Sequence, residues 1–464
     1  MNEPADTVVT KLSNWIDPAR ISTAPALLDE LSWDALSEGR IHPQRRPEVR
    51  APVCAVLPQS TEEVCRIVHF ANLEKIALVP FGGGSGLMGG ALSIRPCVAV
   101  DLRGLNRIVE IDPAARSARA QAGVVLESLD LKLGEAGLIL GHDPWTVPVA
   151  TIGGAISTNS VGYRAGIYGS MGEQVLGLEA VLPNGEILRT RAVSKHSAGL
   201  QLNALLIGGE GCFGIITEAT LRVFPKPALR LFLGYLFSSF ETGYAAIQEM
   251  FERRLRPALL DFGDDEDKHD PGALLYLAFE GTKEIVAAEK ALAAEICSNH
   301  GGELLDSKEP QQFWRERHDI ARQFARNRRQ RRERGRDGVY RDWIHVALPA
   351  SKVLRYRRMA QEVARRRSVR VQESGLWVQP ELFSMRLGAE DGVLPDARLI
   401  LEETVEELLR LAQRLGGSME YTHGVGVKLA PLMAEEHGYG LAVMRQIKQT
   451  LDPNNILNPG KLAL

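Results

Sequence analysis

The segment PFGGGSGLMGG, residues 80–90, carries the clearest chemical signal in the chain. Six of its residues are glycine, so its main-chain N–H groups are almost free of side chains. Successive N–H groups in such a loop form a concave nest that binds anions. Gly84, Gly86 and Gly89 also match the dinucleotide pattern G-x-G-x-x-G, after an apolar strand-like run. The segment therefore predicts a loop that binds phosphate through its backbone.

The residues after this loop argue against two common nucleotide folds. GGALSIRPCVAVDL contains Pro96 and a β-branched run, which leave no room for the helix of a Rossmann fingerprint. A Walker P-loop needs Gly-Lys-Ser/Thr, which does not follow here. A glycine-rich surface turn is the remaining alternative, although turns seldom need six glycines.

Two further segments combine glycine with small hydroxyl side chains. They are TIGGAISTNSVG at 151–162 and GGEGCFGIITEA at 208–219. Serine and threonine supply hydrogen-bond donors and acceptors without bulk. A tight turn would explain each segment alone, but three of them in one domain indicate a long, flat, polar ligand.

The elements that must position these segments are those of an α+β protein. A chain of 464 residues is too long for one ordinary core. Residues 54–79 alternate strand, helix and strand, with a capping box at Ser60, and Asn184-Gly185 predicts a hairpin turn. Pro225-Lys226-Pro227 marks the first domain boundary. Beyond it, helices interleaved with β-like ALLYLAFEG predict a second domain with an antiparallel sheet.

Composition excludes several functional classes. A hydrophobic content of 45% is that of a soluble globular protein, and a net charge of −3 argues against general nucleic-acid binding. The start MNEPADTVVTKLSNW lacks a signal-peptide pattern, and no apolar run is long enough to span a bilayer. The five cysteines are scattered without C-x-x-C, which suits a reducing compartment. We therefore expect a cytoplasmic protein.

Five segments, taken in order, resemble the vanillyl-alcohol-oxidase type (PCMH-type) of FAD-linked oxidoreductase. They are PFGGGSG, GHDPWTVPVATIGGAISTNSVGYRAGIYGS, GLEAVLPNGEIL, GGEGCFGIITEATLRVFPKP and the C-terminal HGVG…LDPNNILNPGKL. Within that superfamily the chain resembles the branch of D-lactate and glycolate dehydrogenases and alkylglycerone-phosphate synthase. The resemblance is most specific over residues 50–227 and 420–464.

The resemblance implies an α+β fold with a two-subdomain FAD-binding domain and a cap domain whose antiparallel sheet covers the flavin. We expect an N-terminal extension at 1–49, the FAD-binding domain at 50–227 and the cap or substrate domain at 228–419. A C-terminal segment at 420–464 is expected to return to the FAD-binding domain.

The resemblance also implies that FAD is the cofactor. Its binding is expected to be non-covalent, because the glycine loop has no histidine to which a flavin could be linked. The loop would hold the pyrophosphate, residues 151–162 the flavin and ribityl chain, and residues 210–216 the adenosine side. The implied residues are Pro80, Gly82, Gly83, Gly84, Ser85, Gly86, Thr151, Gly153, Gly154, Ser157, Thr158, Gly162, Glu210, Gly211, Gly214 and Ile216.

The segment EYTHGVG, residues 420–426, matches the catalytic end of the family. Oxidation of a hydroxyl needs a base for the O–H proton, and histidine titrates in the required range. The match makes His423 the candidate base and Tyr421 its candidate partner. Arg341, in YRDWIHVAL, is the candidate for binding a substrate carboxylate or phosphate, with a surface salt bridge as the alternative.

Two family motifs are absent. Metal-dependent hydroxy-acid dehydrogenases carry H-x-G-D-G-N-x-H in the cap and then Glu-His-Gly, where this chain has GLWVQPELFSMRLG and Thr422-His423-Gly424. We therefore expect no catalytic metal. Alkylglycerone-phosphate synthases carry three consecutive histidines at the positions that match residues 421–423 of this chain. Of the three, this chain has only His423.

Arginine is concentrated in residues 322–336. One interpretation is a solvated loop of the cap. The other is contact with an anionic substrate or with an anionic membrane surface, as in a peripheral membrane protein.

These features favour an FAD-dependent dehydrogenase or oxidase that acts on a small 2-hydroxy acid resembling D-lactate or glycolate. One alternative is a transferase resembling alkylglycerone-phosphate synthase, without net redox change. Another is a flavin-binding subunit of a larger complex. We expect a small anionic substrate, an electron acceptor that no motif identifies, no nucleic-acid partner and a homo-oligomer.

Overall fold

The computed structural model describes residues 5–45, 47–265 and 272–464. The first four residues of the expected N-terminal extension lie outside it, as do the side chains of Arg329 and Arg331 in the arginine-rich run. The strands are β1 (Ile21–Ser22), β2 (Cys54–Val56), β3 (Ala77–Phe81), β4 (Cys97–Asp101), β5 (Ile108–Asp112), β6 (Ser117–Gln121), β7 (Leu138–Ile139), β8 (Val175–Val181), β9 (Ile187–Arg189), β10 (Ile215–Arg222), β11 (Phe224–Pro225), β12 (Leu229–Phe237), β13 (Leu259–Asp265), β14 (Ala273–Gly281), β15 (Glu303–Leu304), β16 (Val339–Ala347), β17 (Arg370–Trp377) and β18 (Leu382–Glu390). The helices are α1 (Ala5–Leu12), α2 (Pro25–Leu31), α3 (Thr61–Glu74), α4 (Leu126–Glu135), α5 (Ile152–Thr158), α6 (Ala165–Tyr168), α7 (Met171–Gln174), α8 (Asn203–Leu206), α9 (Phe240–Glu252), α10 (Lys283–Asn299), α11 (Lys308–Glu316), α12 (Asp319–Arg326), α13 (Arg328–Arg332), α14 (Val353–Arg366), α15 (Ala397–Arg414), α16 (Met433–His437) and α17 (Tyr439–Leu451).

A small parallel sheet carries the glycine loop. Strands β2, β4 and β3 are parallel neighbours, with β1 antiparallel at the edge. Every residue of β2 and β4 is buried, as expected for apolar strands that are covered on both faces. Helix α3 follows the predicted cap, since the Ser60 hydroxyl accepts the N–H of Glu63 at 3.2 Å. Because the glycine loop follows β3 directly, it lies at the carboxyl end of the parallel sheet.

A five-stranded antiparallel sheet carries the second glycine-rich segment. Its order is β5–β6–β10–β8–β9, and the β8–β9 hairpin turns at Asn184-Gly185 as predicted, with Gly185 at φ +85°. Helix α5 packs on this sheet through Ile152 and Ile156. The sheet thereby leaves the opposite face of α5, which carries Gly154, Ser157 and Thr158, turned away from its core.

The cap is a seven-stranded antiparallel sheet in the order β15–β12–β14–β13–β17–β18–β16. Helices α9, α10, α14 and α15 pack against it and bury the largest core. On β16, Ile344 and Val346 belong to that core, while the alternating residues Trp343 and His345 face the opposite side. The α+β fold and the antiparallel cap sheet agree with the sequence prediction.

The C-terminal residues contact both halves of the molecule. The backbone of Glu420 forms a parallel β-bridge with His345 of β16, whereas residues 456–458 run along β3. There, Leu78 N–H donates to the Ile456 carbonyl at 2.7 Å, and Asn458 N–H donates to the Leu78 carbonyl at 2.9 Å. In the part of the chain that the structure describes, no helix combines the length and the apolar character needed to cross a membrane.

Candidate active site

A cavity of about 460 Å³ lies between the cap sheet and the two smaller sheets. This volume is typical of small-molecule and cofactor sites, which measure roughly 300–1,000 Å³. Of the predicted site residues, those that line it are Pro80, Gly82, Gly83, Gly84, Ser85, Gly86, Thr151, Gly153, Gly154, Ser157, Thr158, Glu210, Gly211, Gly214, Ile216 and His423. Gly162, Tyr421 and Arg341 are not part of this lining.

The loop after β3 needs most of its glycines for its own packing. A Cβ at Gly83 would fall on the carbonyl oxygen of Val149. Gly84 has φ +62°, a conformation that side chains disfavour. At Gly86, by contrast, the nearest protein atom to a Cβ would be 3.3 Å away, on the Asp34 carboxylate. Of these three glycines, Gly86 is therefore the one whose own packing requires the absence of a side chain least.

Helix α5 turns a small polar face towards the cavity. Thr151 caps the helix by accepting the N–H of Gly154 at 3.4 Å. The residues of the exposed face that line the cavity are Gly154, Ser157 and Thr158. A Cβ on Gly154 would meet no protein atom closer than the Thr151 hydroxyl, at 3.3 Å. This face therefore offers hydroxyl groups, and a backbone without a side chain at Gly154, to a bound molecule.

Glu210 joins the glycine-rich segment to the C-terminal loop. Its carboxylate accepts the N–H groups of Val425 at 2.5 Å and Gly426 at 2.9 Å, and its carbonyl accepts from Asn458 Nδ2 at 2.6 Å. Burial raises the pKa of Glu210 to about 7, against the lowering effect of those N–H groups. Glu210 was expected on the adenosine side, and its observed bonds hold the loop that follows His423.

His423 sits in a turn that Glu420 organises. One carboxylate oxygen of Glu420 accepts the N–H groups of Tyr421, Thr422 and His423 at 3.1, 2.8 and 3.0 Å. The same oxygen lies 3.5 Å from His423 Nδ1. Burial would raise the pKa of Glu420, but the nearby His423 and these hydrogen bonds bring it below its usual value. Glu420 is therefore an ionised carboxylate directly behind the candidate base.

A second histidine, which sequence reasoning missed, lies against the first. His345 lines the cavity from β16, and its ring centroid is 4.5 Å from that of His423, with the rings nearly perpendicular. Burial, with a further effect of His423, lowers the pKa of His345 to about 3, so its imidazole is neutral near pH 7. The alternation of Trp343 and His345 on one strand face was the signal available in the sequence.

The position of Arg341 does not fit the substrate-binding role that the sequence predicted. Arg341 alternates with Trp343 and His345 along β16, but it is nearer the start of the strand, and its side chain is exposed there. Its neighbour Asp342 is fully buried and accepts from Arg40 Nε at 2.6 Å. A strand period of two identifies a face correctly but does not say how far along the strand the cavity extends.

Tyr421 and Gly162 lie just outside the cavity. The Tyr421 hydroxyl is buried and has no hydrogen-bond partner among the described residues, and its ring centroid is 5.7 Å from that of His345. Burial raises the pKa of Tyr421 well above its ordinary value, so the hydroxyl keeps its proton. Gly162 packs on the backbone of Asp143, where a Cβ would come within 2.6 Å of the main-chain nitrogen. Both residues therefore pack behind the residues that line the cavity.

His345, Glu420 and His423 form a group that could hold a metal ion. One ligand atom from each lies within 4.8 Å of the others. Two imidazoles with one carboxylate are a ligand set of catalytic zinc and non-haem iron. One Glu420 oxygen, however, is already the acceptor for three N–H groups of its own turn. The sequence predicts no catalytic metal because two family motifs are missing, and that prediction takes no account of these three side chains.

Several arginines of residues 322–336 are paired with carboxylates of the same chain. Arg322, Arg332 and Arg336 pair with Glu127, Asp29 and Glu38, at 3.0, 2.9 and 2.9 Å. Arg328 also donates to the Gly83 carbonyl in the glycine loop. Arg334 lines the cavity. The segment therefore lies against the N-terminal residues and the glycine loop, and its contact with a membrane or a substrate stays a prediction.

Two family models match the chain in succession. The model described as the FAD binding domain covers residues 52–191, and the model described as the C-terminal domain of FAD linked oxidases covers residues 226–462. The second match alone spans half of the chain.

Individual relatives extend the match over most of the sequence. The chain is 31% identical to D-lactate dehydrogenase from Archaeoglobus fulgidus, over 93% of this chain and 96% of the relative. It is 28% identical to glycolate oxidase subunit GlcD from Bacillus subtilis, over 89% of each chain. A solved structure of alkyldihydroxyacetonephosphate synthase shares the fold, with a TM-score of 0.80 and 22% identity over all of this chain and 86% of that one.

Proposed function

Because the chain belongs to the FAD-linked oxidoreductases, as its motifs predicted, we propose that it oxidises the alcohol carbon of a small 2-hydroxy acid. Its cofactor is FAD, and it is an enzyme that acts on CH–OH groups. FAD, when bound, supplies the hydride acceptor. Relatives named for D-lactate and glycolate support this substrate class.

The cavity residues fit the cofactor. Gly86 and Gly154 line the cavity, and because neither carries a side chain, a large ligand can approach the backbone closely at both positions. The hydroxyl groups of Ser157 and Thr158 can donate to or accept from a polar chain. We infer that these residues would hold the cofactor, which would supply its hydride acceptor in the same cavity that His423 lines.

The observation that carries the proposal is the position of His423 in the cavity with an ionised carboxylate behind it. Glu420 approaches Nδ1, so Nε2 is the nitrogen left to accept the hydroxyl proton. The carboxylate then stabilises the imidazolium that forms. His345 contributes a neutral imidazole beside the same point and adds no competing positive charge.

The proposal is tested by anaerobic mixing of the flavin-loaded enzyme with D- and L-2-hydroxy acids of increasing side-chain size. We expect one stereochemical series to bleach the flavin absorbance, because hydride transfer needs one face of the alcohol carbon to be presented. The matching 2-hydroxy amides, which lack the carboxylate, serve as controls. Failure of every acid, while a chemical reductant bleaches the flavin, would show that the substrate class is wrong.

An ether-forming transfer without net redox change is the second candidate. It is favoured by the arginines that line the cavity, Arg40, Arg317 and Arg334, which suit a phosphorylated substrate. The residues at 421 and 422 oppose it, since they are tyrosine and threonine. Incubation with an acyl-dihydroxyacetone phosphate and a fatty alcohol separates the two reactions, because only the second candidate forms an ether.

We expect turnover to survive removal of divalent metals. Binding a cation between His345, Glu420 and His423 would compete with the N–H groups that already bond to Glu420, and with the turn they form. The measurement is the rate of flavin reduction after dialysis of the holoenzyme against EDTA, with the metal content determined in parallel. A rate that falls and is restored by zinc or manganese would instead make this group a metal centre.

A further inference from the structure

Arg40 reaches the cavity from the N-terminal residues, to which the sequence assigned no chemistry. It ends a short 3-10 turn, Glu38–Arg40, and is 4% exposed. It lines the cavity together with Trp343 and His345, and its guanidinium carbon is 5.6 Å from the centre of the Trp343 ring. Arg40 therefore lies on the histidine side of the cavity.

The hydrogen bonds of Arg40 are incomplete. Its Nε donates to one oxygen of Asp342, and the other oxygen accepts from Lys428 Nζ. Its Nη2 is buried and has no hydrogen-bond partner among the residues that the structure describes. A desolvated guanidinium N–H without an acceptor is unfavourable, and in most proteins a ligand or a water fills that role. The orphaned donor therefore indicates a missing acceptor.

The charges around Arg40 point to an anionic acceptor. Arg40 and Lys428 share the single carboxylate of Asp342, and all three side chains are at most 5% exposed. Glu402 lies 3.8 Å from Lys428, and burial raises its pKa well above the usual value, so it is largely protonated near pH 7. Two cations then face one anion in a desolvated cluster. A second anion in the cavity would balance it.

We propose that Arg40 binds the carboxylate of the substrate and that Asp342 positions it. The proposal rests on the proposed function and deepens it, since it names the residue that selects 2-hydroxy acids over neutral alcohols. Arg40 is held to Asp342 through Nε while Nη2 lacks an acceptor among the described residues, and a substrate carboxylate beside this guanidinium would supply one with a charge-assisted hydrogen bond. Arg40 thus takes the role that the sequence assigned to Arg341.

The test measures binding without turnover. Oxalate, a carboxylate that has no alcohol to oxidise, is titrated into the holoenzyme, and its Kd is read from the perturbation of the flavin absorbance. We expect Arg40→Met to raise this Kd about 100-fold, as loss of charge-assisted hydrogen bonds would. Arg40→Lys keeps the charge but loses the fork, and we expect a rise of about tenfold. The control is Arg50→Met, which removes an exposed arginine of the same segment paired with Glu48.

The outcomes separate this proposal from the proposed reaction. If Arg40→Met does not retain flavin, the Arg40→Lys enzyme decides by the same titration. An unchanged Kd for oxalate in the variants, or no binding by the wild type, would overturn the proposal even if 2-hydroxy acids reduce the flavin. If the Arg40 variants bind oxalate as the wild type does but have a lower flavin reduction potential, Arg40 instead stabilises the reduced cofactor. If oxalate binding depends on Arg40 but no 2-hydroxy acid is oxidised, the role of Arg40 in binding a carboxylate is supported and the proposed reaction is wrong.

Discussion

Replacement of His423 by asparagine is expected to slow the reduction of the bound flavin by substrate about 100-fold or more, while the flavin stays bound. Asparagine keeps a polar side chain of similar reach but cannot accept the hydroxyl proton. The turn should survive, because Glu420 holds it by accepting main-chain N–H groups, which the substitution keeps. The substitution is therefore expected to lower the rate of the chemical step and to leave cofactor binding unchanged.

The measurement is the single-turnover rate of flavin bleaching under anaerobic conditions at saturating substrate. His437→Asn is the matched control, since it removes an exposed histidine at the end of α16. His345→Asn tests the neighbouring ring. A His423→Asn enzyme with the wild-type rate, next to a slow His345→Asn enzyme, would transfer the role of base to His345.

Replacement of Gly154 by leucine is expected to give a folded protein that does not bind FAD. The first carbon of the side chain would lie 3.3 Å from Thr151 Oγ1, a tight contact that a shift of this hydroxyl by a few tenths of an ångström relieves, and the rest would extend into the cavity that Gly154 lines. Leucine also has a higher helix propensity than glycine. A ligand bound only to the native state stabilises it by roughly 4 kcal/mol when its free concentration is a thousandfold above Kd, and the variant should lose this gain.

The measurement is flavin absorbance per protein together with Tm in the presence and absence of added FAD. Gly134→Leu is the control, because Gly134 is a helix glycine of α4 with no atom within 4 Å of its Cβ position. Gly84 would be a poorer choice, since its φ of +62° would strain any side chain whether or not FAD binds. A yellow Gly154→Leu protein whose Tm still rises with FAD would show that α5 does not face the cofactor.

The local features of this protein were predictable from its sequence because each depends on residues that are close along the chain. The cap of α3 at Ser60 and the hairpin at Asn184-Gly185 follow from short-range hydrogen bonding and backbone preference. The glycine segments and their order were enough to predict the family and FAD. The predicted FAD-binding residues also meet in one cavity, apart from Gly162.

The composition of the catalytic end was decided by the tertiary structure. His345 and His423 come into contact because residues 418–421 run beside β16, and a sequence pattern does not encode such a long-range pairing. Arg40 meets Asp342 across an even longer stretch of chain. Arg341, one residue away, stays in solvent. Local preference selects an element and its inward face, but the packing of distant elements determines which residues on that face are desolvated, and desolvation sets their chemistry.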